Sequence, residues 1–146
     1  MTQGRLEGST FIFPIRIYYE DTDAGEIVYY ANYFKFAERA RTEFLRHFGI
    51  KQSELLENDR IAFAVRKAEA DYRKPARLDD LLEVHTELVK LGGASLEMEQ
   101  QLKRGEETLV SVKVRVACIH LEGRPMPIPQ NIRKIFKEML GENHGS

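Results

Sequence analysis

Glu20, Asp21 and Asp23 crowd the end of an apolar segment, just before Gly25 and the aromatic run Val28-Tyr29-Tyr30-Ala31-Asn32-Tyr33. A carboxylate held between the end of one element and the start of a helix can act as a general base or a nucleophile. The first amides of that helix can stabilise negative charge developing beside it. Residues 27–31 include no Ser, Thr, Asp or Asn to cap a helix starting there, which leaves its amide donors to water or a ligand. Asn32 supplies a cap if the helix starts later. Asp, Thr and Gly are also ordinary turn formers, and that structural reading stands beside the catalytic one. If the turn is catalytic, Asp23 carries it, and the pairing of carboxylate with amide suits attack on an activated acyl group. One well-placed oxyanion donor is worth about 3–4 kcal/mol. A thioester is a reasonable target because its thiolate leaves with little protonation.

Rival chemistries find no residues. The chain has no Gly-x-Ser-x-Gly elbow, no His-x-x-x-His or Cys-x-x-Cys pair and no phosphate-binding Gly-rich loop. Its four histidines are scattered. No metal or redox cofactor is therefore expected.

The elements that must position Asp23 follow from periodicity. Residues 1–10 read as a flexible leader, residues 11–140 as one domain and residues 141–146 as a tail. Phe11–Glu20 is β-branched and aromatic, hence a strand with Pro14 near its start or on an edge. Tyr30–Phe48 has helical spacing, with Tyr30, Tyr33, Phe34, Ala37, Ala40, Phe44, Leu45 and Phe48 on one stripe and Gly49 as its stop. Gln52–Asn58 reads as a short helical turn. Ile61–Tyr72 reads as a strand. Leu81–Leu91 suits strand or helix, and the Gly92-Gly93 break followed by alternation in Ser95–Lys103 favours a hairpin. Val110, Val112, Val114, Val116 and Cys118 give a clean period of two, and Gln130–Leu140 is a closing amphipathic helix. One strand, one long helix, four strands and a short helix imply an α+β domain, an antiparallel sheet wrapped around a single striped helix.

Composition narrows the function classes. A net charge of −1 over 146 residues gives no support to nucleic-acid binding driven by bulk charge. One cysteine, Cys118, excludes an internal disulfide and fits a reducing, cytoplasmic compartment. No apolar run approaches the roughly 20 residues of a membrane-spanning helix, and the first ten residues lack a signal-peptide core.

The stretch Tyr19-Glu20-Asp21-Thr22-Asp23-Ala24-Gly25-Glu26-Ile27-Val28-Tyr29-Tyr30-Ala31-Asn32-Tyr33, followed by Glu38-Arg39-Ala40-Arg41, resembles the 4-hydroxybenzoyl-CoA thioesterase family, and within it the Tol-Pal-associated acyl-CoA thioesterase branch. Val65-Arg66-Lys67 and Pro75-Ala76-Arg77-Leu78-Asp79-Asp80 extend the likeness, which runs from about residue 12 to 140. The resemblance implies a hotdog fold: a five-stranded antiparallel sheet wrapped around one long helix, with a short C-terminal helix. It implies an acyl-CoA thioesterase whose catalytic carboxylate is Asp23 and whose oxyanion donor is the backbone amide of Tyr30. It also implies homodimers, often paired into homotetramers, with the active site shared across the dimer interface. Many members of the Tol-Pal-associated branch carry His where this chain has Tyr30, and relatives tend to carry basic residues where this chain has Gly92-Gly93. Two alternatives remain at this level: a hydroxyacyl dehydratase on the same fold, and a non-enzymatic module that binds acyl-CoA or acyl-carrier protein.

Further candidates are weaker. Arg41 projects into the apolar stripe with Glu38 three residues earlier, so the two are expected to pair, while a functional reading has Glu38 lining the acyl pocket. Tyr29 and Tyr33 are candidate gates to that pocket, with core packing the commoner role of such aromatics. Arg66, Lys67, Arg73, Lys74 and Arg77 form a basic cluster, a solvated face by default, from which Arg66 or Lys67 is favoured as a CoA ligand. Ser95 is a candidate for the pantetheine or phosphate region.

Overall fold

The computed structural model describes residues 4–23 and 25–143. Its chain order is β1 (Arg5–Glu7), β2 (Thr10–Arg16), α1 (Asn32–His47), α2 (Gln52–Glu54), β3 (Ile61–Tyr72), β4 (Leu81–Leu91), β5 (Ser95–Arg104), β6 (Glu107–His120) and α3 (Gln130–Asn143). The strands form one antiparallel sheet in the order β1-β2-β4-β5-β6-β3. It has six strands rather than the expected five. The additional one, β1, lies inside the segment read as a leader, where a turn through Gly8 (φ 63°) folds Arg5–Glu7 back on β2. The last three residues of the expected tail, and Ala24 in the turn, lie outside the described residues.

Helix α1 lies across the sheet and buries Phe36, Ala37, Ala40 and Phe44 against the inward residues of the strands. Fully burying one Phe contributes about 1.5–3 kcal/mol, so Phe44 and Phe36, the latter missing from the stripe read in the sequence, seat the helix, while Tyr30 stands 60% exposed ahead of it. Gly49 ends it as its spacing suggests, with φ 80° and its amide donating to the Arg46 carbonyl at 2.9 Å. Helix α3 packs on β4 and buries Ile132, Phe136 and Met139.

Two boundaries differ from the sequence reading, and both matter for the site. Strand β2 ends at Arg16, and Tyr19–Asp21 forms a single tight helical turn. The Asp21 carboxylate accepts the Tyr18 amide at 2.9 Å, which bends the chain out of the sheet. Helix α1 starts at Asn32, two residues later than Tyr30.

Strand β3 is the free edge opposite β1 and carries a bulge between Val65 and Lys67 that leaves Arg66 without a ladder partner on β6. Helix α1 packs on β2, β4, β5 and β6. Its contacts with β3 are few, Tyr33 against Tyr72 among them, which leaves the seam between α1 and β3 thinly packed.

Candidate active site

The segment from Thr22 to Val28 closes on itself. The Asp23 amide donates to the Ile27 carbonyl at 3.0 Å, and the Glu26 amide donates to the Asp23 carbonyl at 3.1 Å. Gly25 (φ 85°) and Glu26 (φ 60°) both take left-handed backbone conformations, costly for Glu26 and natural for glycine. A second strap holds the turn against residues 75–80. There the Val28 amide donates to the Ala76 carbonyl at 3.0 Å and the Leu78 amide to the Glu26 carbonyl at 3.0 Å. Tyr33, 3% exposed on the first turn of α1, accepts the buried Ala76 amide on its phenol oxygen at 2.9 Å. Burial pushes the Tyr33 phenol above its ordinary value of 10.0, against the opposing effect of the Ala76 N–H.

The two acids of the motif have different employment. Asp21 is a structural residue: its carboxylate holds the Tyr18 amide, and its carbonyl accepts the Tyr29 amide at 3.2 Å and the Asn32 side-chain amide at 2.9 Å. Asn32 thus binds backward and does not cap, and α1 has no side-chain cap. The Asp23 carboxylate has no hydrogen-bond partner among the described residues and is exposed. It lines an open cleft of about 370 Å³ with Ile27, Val28, Tyr30, Tyr33 and Tyr72, and with Arg73, Lys74 and Pro75. The Tyr30 amide, in the turn leading into α1, also finds no acceptor among the described residues. A free carboxylate and a residue with a free helix-start amide therefore share one concave site. Among the described residues, no histidine lines it.

Three tyrosines form the cleft wall. The Tyr72 ring lies 5.8 Å from that of Tyr30, edge-on, and 5.7 Å from that of Tyr33. The Tyr72 hydroxyl donates to the Tyr30 carbonyl at 3.4 Å. Tyr29 stands outside the wall with its ring 5.0 Å from that of Tyr30. Nothing in the spacing of residues 61–72 marked Tyr72 as a site residue; its place in the wall depends on strand register.

The remaining sequence candidates do not gather in this cleft within the protomer. Arg66 and Lys67 are exposed on β3, and Lys67 pairs with Glu69 at 3.1 Å. Of the basic cluster, the cleft takes Arg73 and Lys74, which pair with Asp71 and Glu107 respectively. Ser95 opens β5, and its carbonyl accepts the Gly92 amide at 2.7 Å. The ladder sets it level with Ala117 and Ala64, eight residues along β3 from Tyr72, or roughly 26 Å. Glu38 lines a different cavity of about 240 Å³, whose lining includes Arg41, Thr42, Gln52, Phe63 and Val65. The expected Glu38–Arg41 hydrogen bond is not made. Arg41 instead donates through Nη1 to Gln100 Oε1 at 2.9 Å, because a glutamine buried inside the sheet offers a closer, drier acceptor than the exposed Glu38.

A six-stranded antiparallel sheet around one long helix is the hotdog arrangement that the family resemblance implied. The profile of the Thioesterase-like superfamily matches residues 18–136, and the chain belongs to that superfamily. It is 46% identical over 135 residues to the acyl-CoA thioester hydrolase YbgC of Escherichia coli O157:H7, a match covering 91% of this chain and 100% of that protein. It is 45% identical to the acyl-CoA thioesterase YbgC of Haemophilus influenzae, covering 88% and 96%. A crystal structure of a probable thioesterase from Bartonella henselae superposes with a TM-score of 0.78 at 40% identity, covering 81% of this chain and 98% of that one. Among the described residues, no helix is long and apolar enough to cross a membrane.

Proposed function

We infer that this enzyme hydrolyses acyl-CoA thioesters with the Asp23 carboxylate and the Tyr30 amide. The observation that carries the mechanism is that these two groups, each without an internal partner among the described residues, belong to residues that line the same cleft. The relatives named as acyl-CoA thioesterases support the substrate class. In this reading the thioester carbonyl oxygen lies on the Tyr30 N–H, which stabilises the tetrahedral oxyanion. Two routes are open to Asp23. As a general base it takes a proton from water while the water oxygen bonds to the carbonyl carbon. As a nucleophile it forms an acyl anhydride that water then opens. Either way the C–S bond breaks, its electron pair leaves on the CoA sulfur, and a carboxylic acid results. Neither route calls on a metal or redox cofactor.

The same reading includes self-association. Strand β3 presents an unpaired edge twelve residues long, with Val65 48% and Tyr72 42% exposed, and such an edge invites pairing with another strand. A second copy docked there covers the thinly packed seam and brings its own residues toward the cleft. A homodimer is the first product, and a homotetramer follows if dimers pair. The buried thiol of Cys118 suits the reducing cytoplasm. Acyl-carrier protein remains an alternative bearer of the thioester.

Steady-state hydrolysis of a panel of short, long and aromatic acyl-CoAs by wild type and Asp23→Asn tests the mechanism. The expected loss in kcat is about 10²–10⁴-fold, with folding and assembly unchanged. Near-wild-type turnover by Asp23→Asn would sink it.

A further inference from the structure

Gln100, 1% exposed on β5, donates from Nε2 to the Ala37 carbonyl at 2.9 Å and to Thr86 Oγ1 at 3.0 Å. Its remaining polar atom, Oε1, holds Arg41 Nη1. The amide is thus fixed on both sides, and it fixes one corner of a guanidinium in a cavity of mixed character, lined by Phe63, Val65, Leu96 and Met98 and also by Glu38, Thr42 and Gln52. Arg41 Nε and Nη2 have no acceptor among the described residues, yet no side-chain polar atom is both buried and unpartnered. Those donors are therefore open to the cavity. Burial lowers the Arg41 pKa, against the opposing Glu38 carboxylate. A guanidinium held this way presents rigid, directed donors with unmet hydrogen bonds.

The cavity and the Asp23 cleft lie along one seam. Tyr33 on the first turn of α1 stands at the cleft, and Glu38 and Arg41 further along it stand at the cavity; on β3, Tyr72 stands at the cleft and Val65 and Phe63 at the cavity. From Tyr30 to Arg41 is roughly 16 Å along the helix axis. The seam passes Phe34, which shares a helix face with Tyr30 and Glu38. The cavity and the cleft share no lining residue, and an acyl chain reaching from one to the other has this stretch past Phe34 to cross.

We propose that Arg41, positioned by Gln100, selects acyl groups carrying a neutral oxygen, a hydroxyl or a ketone, at the end far from the thioester. The proposal rests on the thioesterase reading above. The far oxygen accepts from the spare guanidinium donors, which an unsubstituted chain leaves unmet. A neutral oxygen suits the site better than a carboxylate because Glu38 already lines the same cavity and supplies the countercharge.

The test compares kcat/KM for straight-chain acyl-CoAs of increasing length, each unsubstituted, terminally hydroxylated or terminally carboxylated. At the length that reaches Arg41, wild type should favour the hydroxylated over the unsubstituted chain by about 10–100-fold, the range expected of a hydrogen bond to a charged group. Arg41→Met should bring that ratio close to one, and Gln100→Met should reduce it while retaining part of it. Because each enzyme is compared with itself on two substrates, a partly unfolded variant still reports its ratio; if Arg41→Met yields no soluble protein, Gln100→Met carries the comparison. Equal rates for all three chain types in wild type, a preference for the carboxylated chain, or an unchanged ratio in the variants would overturn the proposal. Failure to hydrolyse any acyl-CoA would instead strike the thioesterase reading itself.

Discussion

Replacing Tyr33 by Phe removes one oxygen atom and changes almost nothing else in volume, yet it should be felt both in stability and at the cleft. Tyr33 is 3% exposed and the Ala76 amide it accepts belongs to a residue that is 0% exposed. The substitution leaves a buried N–H without an acceptor, a loss of about 1–3 kcal/mol. Taking about 2 kcal/mol, a chain of this size should lose ~4–8 °C in Tm. The same bond straps residues 75–78 to the start of α1, and that strap holds Val28 and Glu26 in the acid-bearing turn. The variant should therefore also show raised KM. Alkaline titration supplies an independent check. The folded Tyr33 phenol titrates above its unfolded value of 10.0, so the folded state keeps its proton where the unfolded state has lost it. The stability this represents is fully present below pH 10 and is lost as pH rises from there through the folded value. Urea denaturation of wild type across that window should show falling stability, and Tyr33→Phe should show a shallower fall. The buried Tyr33–Ala76 bond would be refuted as a structural strap by a variant with wild-type midpoint, unchanged m and the wild-type alkaline slope.

Gly25→Ala, at φ 85° in open space, should lose about 1–2 kcal/mol from left-handed strain alone, read as a shift in denaturation midpoint; an unshifted midpoint would mean the turn adopts another conformation. Val65→Asp places a charge on the exposed edge of β3, and sedimentation velocity should then show a shift toward monomer with loss of hydrolysis. An assembly that keeps its mass after that change does not use this edge.

The long helix and strands β5 and β6 were legible because each has a clean period, helical spacing in α1 and alternation in the two strands, whereas Leu81–Leu91 suited strand or helix until its neighbours were considered. Asp23 was singled out by its type, its place and the family likeness, whereas the commitment of Asp21 to the turn was not legible. Only the observed bonds from Tyr18 and Asn32 show that one acid is committed to the turn while the other stands free. The hydrogen-bond partner of Arg41 was not legible for a related reason, although the charge of Glu38 still acts on it. Sequence neighbours three apart on a helix are easy to see, whereas Gln100 lies 59 residues away and meets Arg41 only through the sheet. The short strand at Arg5–Glu7 escaped because three residues carry no period, and a turn at Gly8 with an existing edge to pair with is enough to form it.

The bulge at Arg66 changes the reading frame of its strand. Before it, the odd-numbered Phe63 and Val65 sit beside the inward Cys118 and Val116; after it, the even-numbered Ala68, Ala70 and Tyr72 sit beside the inward Val114, Val112 and Val110. With every residue kept and the bulge ironed out, strict alternation after Val65 would point Lys67, Glu69 and Asp71 inward and turn Tyr72 to the outer face, away from Tyr30 and Tyr33. Deleting Arg66 has the opposite effect: Val65, Lys67 and Ala68 become consecutive opposite Val116, Arg115 and Val114, and Tyr72 keeps its place in the wall. Strand β3 thus carries one residue more than its partner needs, and the wall of the cleft depends on where that residue is absorbed.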